Sequence, residues 1–130
     1  MALYDQSKVT VVVDGTYITG FGEGTKVSAE RDEDNIVPYV GADGTVTNAV
    51  SADETGTITI PLAISSPSIA YLNGLANAKK PFPISVTDFN EGGVNCSATQ
   101  GYVSKPIFPE KGKEVTVAEF TILCDDLSIQ

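Results

Sequence analysis

The sequence predicts a mainly β protein: an antiparallel β-barrel or sandwich flanked by one α-helix at about residues 66–79. Short runs rich in Val, Ile and Thr recur along the chain and are separated by turns that contain Gly, Asp or Pro. Their spacing of about 8–12 residues is typical of sandwiches and barrels. Only one stretch combines helical spacing with helix-start and helix-stop residues. The length of 130 residues favours a single domain, expected to span residues 1–130.

The N-terminal part of the chain predicts a β-hairpin. Residues 8–14 are rich in β-branched side chains, and residues 16–21 form a second run of the same kind. Asp14-Gly15 stands between them, and an Asp-Gly pair readily takes the positive φ angles of a two-residue hairpin turn. The two runs are therefore expected to pair in antiparallel fashion.

The middle of the chain predicts two strands joined by a long connection. Residues 25–30 and 57–62 alternate polar and apolar side chains, as half-buried strands do. Between them, residues 36–40 predict a short edge segment, because the proline in it cannot donate to a ladder, and residues 45–50 resume the alternation. The connection is polar, contains glycines and is long for a hairpin loop. We expect an extended loop or hairpin at about residues 30–55.

The helix is the next predicted element. Ser66 can cap it, and Pro67 suits the first helical position. The apolar side chains of its buried face are Ile69, Leu72, Leu75 and Ala76. Prolines at positions 81 and 83 end it. Strand-like segments follow at residues 82–89, 94–99, 102–108 and 115–123.

The composition excludes several kinds of chemistry. The chain has no His, which excludes a Ser-His or Cys-His nucleophilic pair and a His-ligated metal. Cys96 and Cys124 allow either one disulfide or two unpaired core thiols. The formal net charge is −9, from 8 basic and 17 acidic residues, so the basic face that nucleic-acid binding requires is lacking. No catalytic residue, cofactor or metal is predicted.

Carboxylates are the one reactive group present in number. Asp32, Glu33, Asp34 and the pair Asp125-Asp126 offer the oxygen ligands that suit Ca²⁺ or Mg²⁺. Their spacing does not match an EF-hand loop, and a solvated acidic face is the simpler interpretation. Glycoside hydrolysis by paired carboxylates needs a cleft with aromatic platforms, whereas the Tyr and Phe residues fall at core-like strand positions.

Taken in order, several segments resemble the small tail tube proteins of contractile-tailed phages and of phage-like particles such as tailocins. These segments are VVVDGTYITGFGEG, ERDED, VGADGTV, DETGTITIPL and SSPSIAYLNGL. The resemblance covers nearly the whole chain and extends to the tube proteins of type VI secretion. It implies a β-barrel or sandwich with one flanking helix, and hexameric rings that stack into a hollow tube inside a contractile sheath.

The same resemblance implies the partners and the location of the protein. The partners are other copies of itself, the tail sheath protein, and the baseplate and tail terminator proteins. DNA passes through the lumen without specific binding. The protein is expected to be made in the host cytoplasm and to end in the tail tube of the virion. The N-terminus lacks a secretory signal pattern, and no stretch approaches about 18 apolar residues, so no membrane-spanning segment is expected.

Two sets of residues are candidates for the surfaces of such a tube. An acidic lumen is implied, and a negative wall repels DNA phosphates so that the duplex slides. The candidate acidic wall residues are Glu30, Asp32, Glu33, Asp34, Asp53 and Glu54. They face either the lumen or the sheath, and the sequence leaves that open. The candidate residues of a loop that joins stacked rings are Tyr39, Gly41, Asp43, Gly44 and Val46.

Three other functions are alternatives. A tube subunit of a phage-derived bacteriocin or of a secretion or injection apparatus would have the same fold. A small-ligand β-barrel would need an apolar interior pocket, and a chain of this size has few bulky residues with which to line one. An enzyme would have to act through carboxylates alone.

Overall fold

The computed structural model of the protein describes residues 5–22, 27–109, 112 and 117–130. In these residues one large antiparallel sheet packs on a single α-helix, and a separate two-stranded hairpin projects from it. The elements are β1 (Val9–Val13), β2 (Thr16–Tyr17), β3 (Ser28–Arg31), β4 (Ile36–Val40), β5 (Val46–Val50), β6 (Gly56–Ala63), α1 (Ser68–Ala78), β7 (Phe82–Asp88), β8 (Cys96–Val103), β9 (Val117–Cys124) and β10 (Ser128–Ile129).

The large sheet confirms the predicted mainly β fold with one helix. Its strand order is β2-β1-β7-β8-β9-β6-β3, and β10 pairs with β8. The curled sheet brings the inward side chains of β1 and of β6 into one core, as in a sandwich. Within the described residues β3 pairs only with β6, so hydrogen bonds do not close the sheet into a barrel there.

The predicted first hairpin is confirmed, but its second strand ends at Tyr17 and not at residue 21, because Phe21 pairs with Leu62 of β6 instead. Strands β1 and β2 pair antiparallel, with Val12 opposite Tyr17 and Val13 opposite Thr16. The turn residues Asp14 and Gly15 both have positive φ, 50° and 79°. That combination defines the type I′ turn, whose twist matches that of the strands it joins. The Asp-Gly pair therefore sets the register of the first hairpin.

The core comes from strict alternation along the central strands. In β6 every second residue is buried, and Ile58 faces Ile122 of β9 while Ile60 faces Phe120. All four side chains are fully buried. Burial of each such side chain contributes about 1.5–3 kcal/mol relative to exposure, which makes the β6–β9 pair the centre of the domain.

The helix packs its apolar side on the same core. Ile69 and Leu72 are buried there, and Leu75 is half-buried against the cluster. The Ser66 Oγ accepts a hydrogen bond from the Ser68 N–H at 3.2 Å and donates to the Thr19 carbonyl at 2.5 Å. Ser66 therefore satisfies an N–H at the start of the helix and ties it to the chain that leaves β2.

The C-terminal strands differ from the prediction. The segments predicted at 94–99 and 102–108 form one strand, β8, and residues 104–109 form no strand. Gly101 joins them because it lies inside the ladder opposite Phe82, where a Cβ would come within 3.1 Å of Ile122 Cγ2. The short strand β10 was not predicted, because two residues carry no periodicity. Residues 115 and 116 of the predicted last strand lie outside the described residues.

The central ladder should respond strongly to loss of a core side chain. We expect Phe120→Ala to lower the free energy of unfolding by about 3–5 kcal/mol, since it removes a fully buried aromatic ring and leaves a cavity. Phe89→Ala is the matched control, because Phe89 is 68% exposed. Urea titration followed by circular dichroism measures both. A similar loss in the two variants would contradict the placement of the core.

Candidate assembly surfaces

The chain between β3 and β6 forms an arm, defined here as residues 32–55. Strands β3 and β6 pair antiparallel up to Arg31 and Gly56, so the arm leaves the sheet and returns to it at neighbouring positions. Asp32 N–H donates to the Thr55 carbonyl at 3.0 Å. The Arg31 guanidinium donates to the Asp53 carbonyl at 3.1 Å. These bonds fix the base of the arm on the sheet edge.

Strands β4 and β5 form a regular hairpin within the arm. Five residue pairs run from Ile36 opposite Val50 to Val40 opposite Val46. At its tip Gly41 N–H donates to the Thr45 carbonyl at 2.8 Å, and the Asp43 carboxylate accepts from Thr45 N–H at 3.0 Å. That bond lowers the pKa of Asp43, so the tip carries a negative charge at neutral pH.

The hairpin exposes apolar side chains on both of its faces. All ten residues of the two strands are exposed to solvent. Cross-strand partners share a face, which places Ile36, Val40, Val46 and Val50 on one side, and Val37, Tyr39 and Ala49 on the other. An isolated two-stranded hairpin is marginally stable in water. Contiguous exposed apolar groups are typical of interaction sites.

The candidate loop residues fall on this hairpin. Tyr39 and Val46 lie on opposite faces of it, and Gly41, Asp43 and Gly44 form its tip. Gly44 has a φ of 87°, a value that glycine adopts without strain. The structure thus brings all five candidates into one projecting element, although none of them contacts the core cluster.

The six candidate acids are all exposed, five of them at the base of the arm and Glu30 on the neighbouring strand β3. Glu30 lies on the outward face of β3 beside Thr57, and Asp32 accepts a hydrogen bond from the Thr57 hydroxyl at 3.0 Å. The hydroxyl and the N–H of Thr55 both donate to the Asp53 carboxylate and lower its pKa. No three acidic, Cys or His side chains in the part of the chain that the structure describes are arranged to hold a metal ion.

The outward face of the large sheet is rich in hydroxyl groups, and we call it the hydroxyl face. Side chains that point away from the core are Thr10, Ser28, Thr57, Thr59, Ser85, Thr87, Ser97, Thr121 and Ser128. The charged side chains among the described outward positions are Glu30 and Glu119, and these positions include no Lys or Arg. This face was missed at the sequence level, although the alternation at Thr57 and Thr59 signalled it.

A second missed feature is an open groove between the C-terminal end of α1 and the chain that follows β8. It has a volume of about 410 Å³. Its wall includes Lys79 and Lys105 together with the side chains of Tyr102, Pro106 and Leu123. We call it the lysine groove. The two lysines are far apart in sequence, so no sequence motif predicted the groove.

Both cysteines are free thiols. Cys124 is buried, and burial raises the pKa of its thiol to about 12. Burial also raises the pKa of Cys96, which lines a cavity of about 250 Å³ with Val9 and Val86. A thiol that stays protonated at neutral pH is a poor nucleophile. The cavity is smaller than the usual ligand pocket of about 300–1,000 Å³.

A domain with no catalytic constellation in its described residues, a projecting apolar arm and a hydroxyl-rich sheet face has the surfaces of a structural subunit. Residues 1–126 match the family model described as the bacteriophage PhiTE tail tube protein. The chain therefore belongs to this family of phage tail tube proteins, which are structural proteins and not enzymes. No curated protein sequence matches the chain.

Solved structures from contractile injection systems and from an anti-feeding prophage are similar in fold. The anti-feeding prophage cap (AFP tube terminating cap) has a TM-score of 0.67 and 17% identity over 100% of this chain and 92% of that one. A chain of the PVC sheath-tube complex of an extracellular contractile injection system, in the extended state, has a TM-score of 0.65 and 16% identity, over 97% of this chain and 90% of that one. The PVC sheath/tube terminator has a TM-score of 0.67 and 15% identity, over 100% of this chain and 98% of that one. At these identities the likeness shows the fold.

No helix in the described ranges is long and apolar enough to cross a membrane.

The turn after β9 predicts a stability change in acid. Asp126 accepts hydrogen bonds from the Thr99 hydroxyl and from the N–H groups of Thr99 and Gln100, and the Thr99 hydroxyl is the largest cause of its lowered pKa. A depressed folded-state pKa stabilises the fold above the ordinary value of 3.8, and this stabilisation is lost as pH falls through the lower value. Asp126→Asn should therefore destabilise the protein at pH 7 and much less near pH 2.

Urea titrations at the two pH values measure this difference. Asp125→Asn is the control, because Asp125 is an exposed aspartate on the same turn. A stability loss for Asp126→Asn that is equal at both pH values would show that the ionised carboxylate is not what stabilises the turn.

Proposed function

We propose that this protein is the subunit of the inner tail tube of a contractile phage-like particle. Copies close into hexameric rings, the rings stack into a hollow tube, and a contractile sheath encloses the tube. The whole chain, residues 1–130, acts as one tube domain. The single observation that carries the proposal is the family match over residues 1–126, and the exposed arm supports the assembly part of it.

Ring closure and stacking need two different contacts, each between unlike surfaces of neighbouring copies. The chain offers two kinds of unsatisfied surface. Among the described residues, the terminal strands of the sheet order, β2 and β3, each pair on one side only, which leaves backbone groups on the other side for pairing with a neighbour. The hairpin of the arm exposes apolar side chains on both faces. We assign the sheet edges to contacts within a ring and the arm, including Tyr39, Asp43 and Val46, to contacts between rings.

The hydroxyl face is our candidate for the lumen wall. If neighbouring sheets join at their edges, their outward faces form one continuous surface, whereas α1 lies on the other side of the sheet. The described positions of this face carry acids and no bases. Hydroxyl groups keep the wall hydrated. Because these positions carry no cations, they do not form the ion pairs with phosphates that hold DNA. Such a wall lets a duplex slide.

In this arrangement the candidate acids lie on two different surfaces of the subunit. Glu30 faces the lumen, because it lies on the hydroxyl face. Asp32, Glu33, Asp34, Asp53 and Glu54 belong to the base of the arm. The sheath protein and the baseplate and terminator proteins are the other partners we propose. The solved structures of similar fold include a sheath-tube complex, a sheath/tube terminator and an anti-feeding prophage baseplate.

A second candidate function is the tube of an injection apparatus whose cargo is not DNA. The observation that favours it is the origin of the similar folds, which come from an extracellular contractile injection system and an anti-feeding prophage. The acidic, hydroxyl-rich wall suits either cargo. Purification of the native particle and analysis of its contents for nucleic acid separates the two functions.

Removal of the hairpin should abolish tubes and spare the fold. Ser51 N–H donates to the Asn35 carbonyl at 2.8 Å, so an Asn-Gly turn can replace residues 36–50 between them. We expect a folded monomer, because those residues are exposed and lie outside the core. Electron microscopy shows whether tubes form, and sedimentation velocity measures the mass of the species in solution. Tyr39→Ser with Val46→Ser keeps the chain length and should have the same effect; normal tubes from either protein would refute the assignment.

Cations on the hydroxyl face should make the tube hold DNA. We expect tubes with Thr59→Lys and Thr87→Lys to assemble normally and to retain a fluorescent duplex, with retention that falls steeply as salt rises. Tubes with Thr59→Glu and Thr87→Glu are the matched control and should retain none. Cosedimentation of tubes and duplex measures this. Equal retention by the two variants would place the hydroxyl face outside the lumen.

A further inference from the structure

The lysine groove is an exposed, positively charged site in a strongly acidic chain. The chain has 8 basic residues against 17 acidic ones, yet two of the basic side chains, Lys79 and Lys105, line the same groove, and none of the described residues that line it is an acid. Lys79 ends α1 with a φ of 53°. The C-terminal end of a helix attracts a cation, but for an exposed side chain this interaction is weak. The Lys79 ammonium can therefore also interact with a negatively charged partner.

The groove also has an apolar part. Tyr102 and Leu123 are cross-strand partners in β8 and β9, and Leu123 is 48% exposed. Pro106 completes the wall. A site that combines two ammonium groups with apolar side chains suits an acidic peptide segment that carries apolar residues beside its charge.

The arm of this chain has that chemistry. Residues 32–55 contain six acids and no base. At the tip of the hairpin the ionised Asp43 is flanked by the exposed apolar pair Val40 and Val46. The tip is held in shape by the hydrogen bonds between Gly41, Asp43 and Thr45. Little ordering entropy is therefore lost when it docks.

A hairpin tip that occupies this groove comes from another copy. Val40 and Val46 of the hairpin are 63% and 58% exposed within one chain, so a chain does not cover its own tip. Hairpin and groove are different surfaces of the same subunit, so a contact between them is head-to-tail and leaves a free groove and a free hairpin for the next copies. Such a contact propagates through an assembly.

We propose that the hairpin tip of one copy, residues 41–44, docks in the lysine groove of another copy, with the Asp43 carboxylate beside Lys79 and Lys105 and with Val40 and Val46 against Tyr102 and Leu123. This inference rests on the proposed function as a self-assembling tube subunit and names the receiving site for the arm. It makes assembly dependent on salt, because part of the contact is an ion pair at a surface.

Charge exchange tests the contact. Asp43→Lys alone, and Lys79→Glu with Lys105→Glu, each place like charges together, and each should raise the protein concentration needed for tubes by about tenfold or more. The triple variant that combines all three changes restores opposite charges and should form tubes near the original concentration. Glu91→Lys and Lys80→Glu are matched controls, because they make the same charge changes at exposed positions outside the arm and outside the groove.

Tube formation is scored by electron microscopy over a concentration series, and thermal melting of each variant verifies the fold. Normal assembly of the single-site variants, or a folded triple variant that forms no tubes, would overturn the docking site while leaving wild-type tubes intact. Groove variants that form normal tubes but no longer bind a co-purified sheath protein would also overturn the docking site. That result would identify the groove as a binding site for the sheath protein. Absence of wild-type tubes at every concentration would refute the proposed function, and this inference with it.

Discussion

The ladder between β6 and β9 is the interaction on which the rest of the structure depends. Gly56 to Ala63 pair residue by residue with Cys124 to Val117, and β6 also holds β3. A Cβ on Gly56 would lie 2.3 Å from Leu127 Cδ2, so only glycine lets the buried Leu127 close over the end of the ladder. Leu127 N–H in turn donates to the Glu54 carbonyl at 3.0 Å. The core ladder therefore fixes the base from which the arm projects.

The three surfaces of the subunit have different chemistry because they meet different neighbours. The inward face of the sheet is apolar and is covered by α1. The outward face carries hydroxyl groups and a few acids, which remain well solvated without any partner, together with the exposed side chains of Tyr17, Val117 and Leu123 near its margins. The hairpin exposes apolar groups on two sides, an arrangement that disfavours a free monomer in water and favours assembly. The hairpin therefore has more exposed apolar character than the hydroxyl-rich centre of the sheet face.

Charge has a different role in each part. On the hydroxyl face the described positions lack cations, so the surface offers DNA no ion pairs. At the arm and the lysine groove, opposite charges lie on different parts of one chain, which gives an association its direction and register more than its strength. An overall charge of −9 keeps free subunits apart at low salt, and assembly then depends on local complementarity.

The sequence by itself determined the elements whose signals are local: the Asp-Gly hairpin, the alternation of β6, the single helix with Ser66 at its start, and the absence of His-based chemistry. It also located the arm, because a polar connection of that length between two paired strands must leave the sheet. Only the tertiary structure decided which residues share a surface. The hydroxyl face gathers side chains from strands far apart in sequence, the lysine groove joins a helix end to a loop after β8, and the strand predicted as two pieces became one at Gly101. Periodicity reports the conformation of a segment, whereas pairing and packing between distant segments set the neighbours of each side chain.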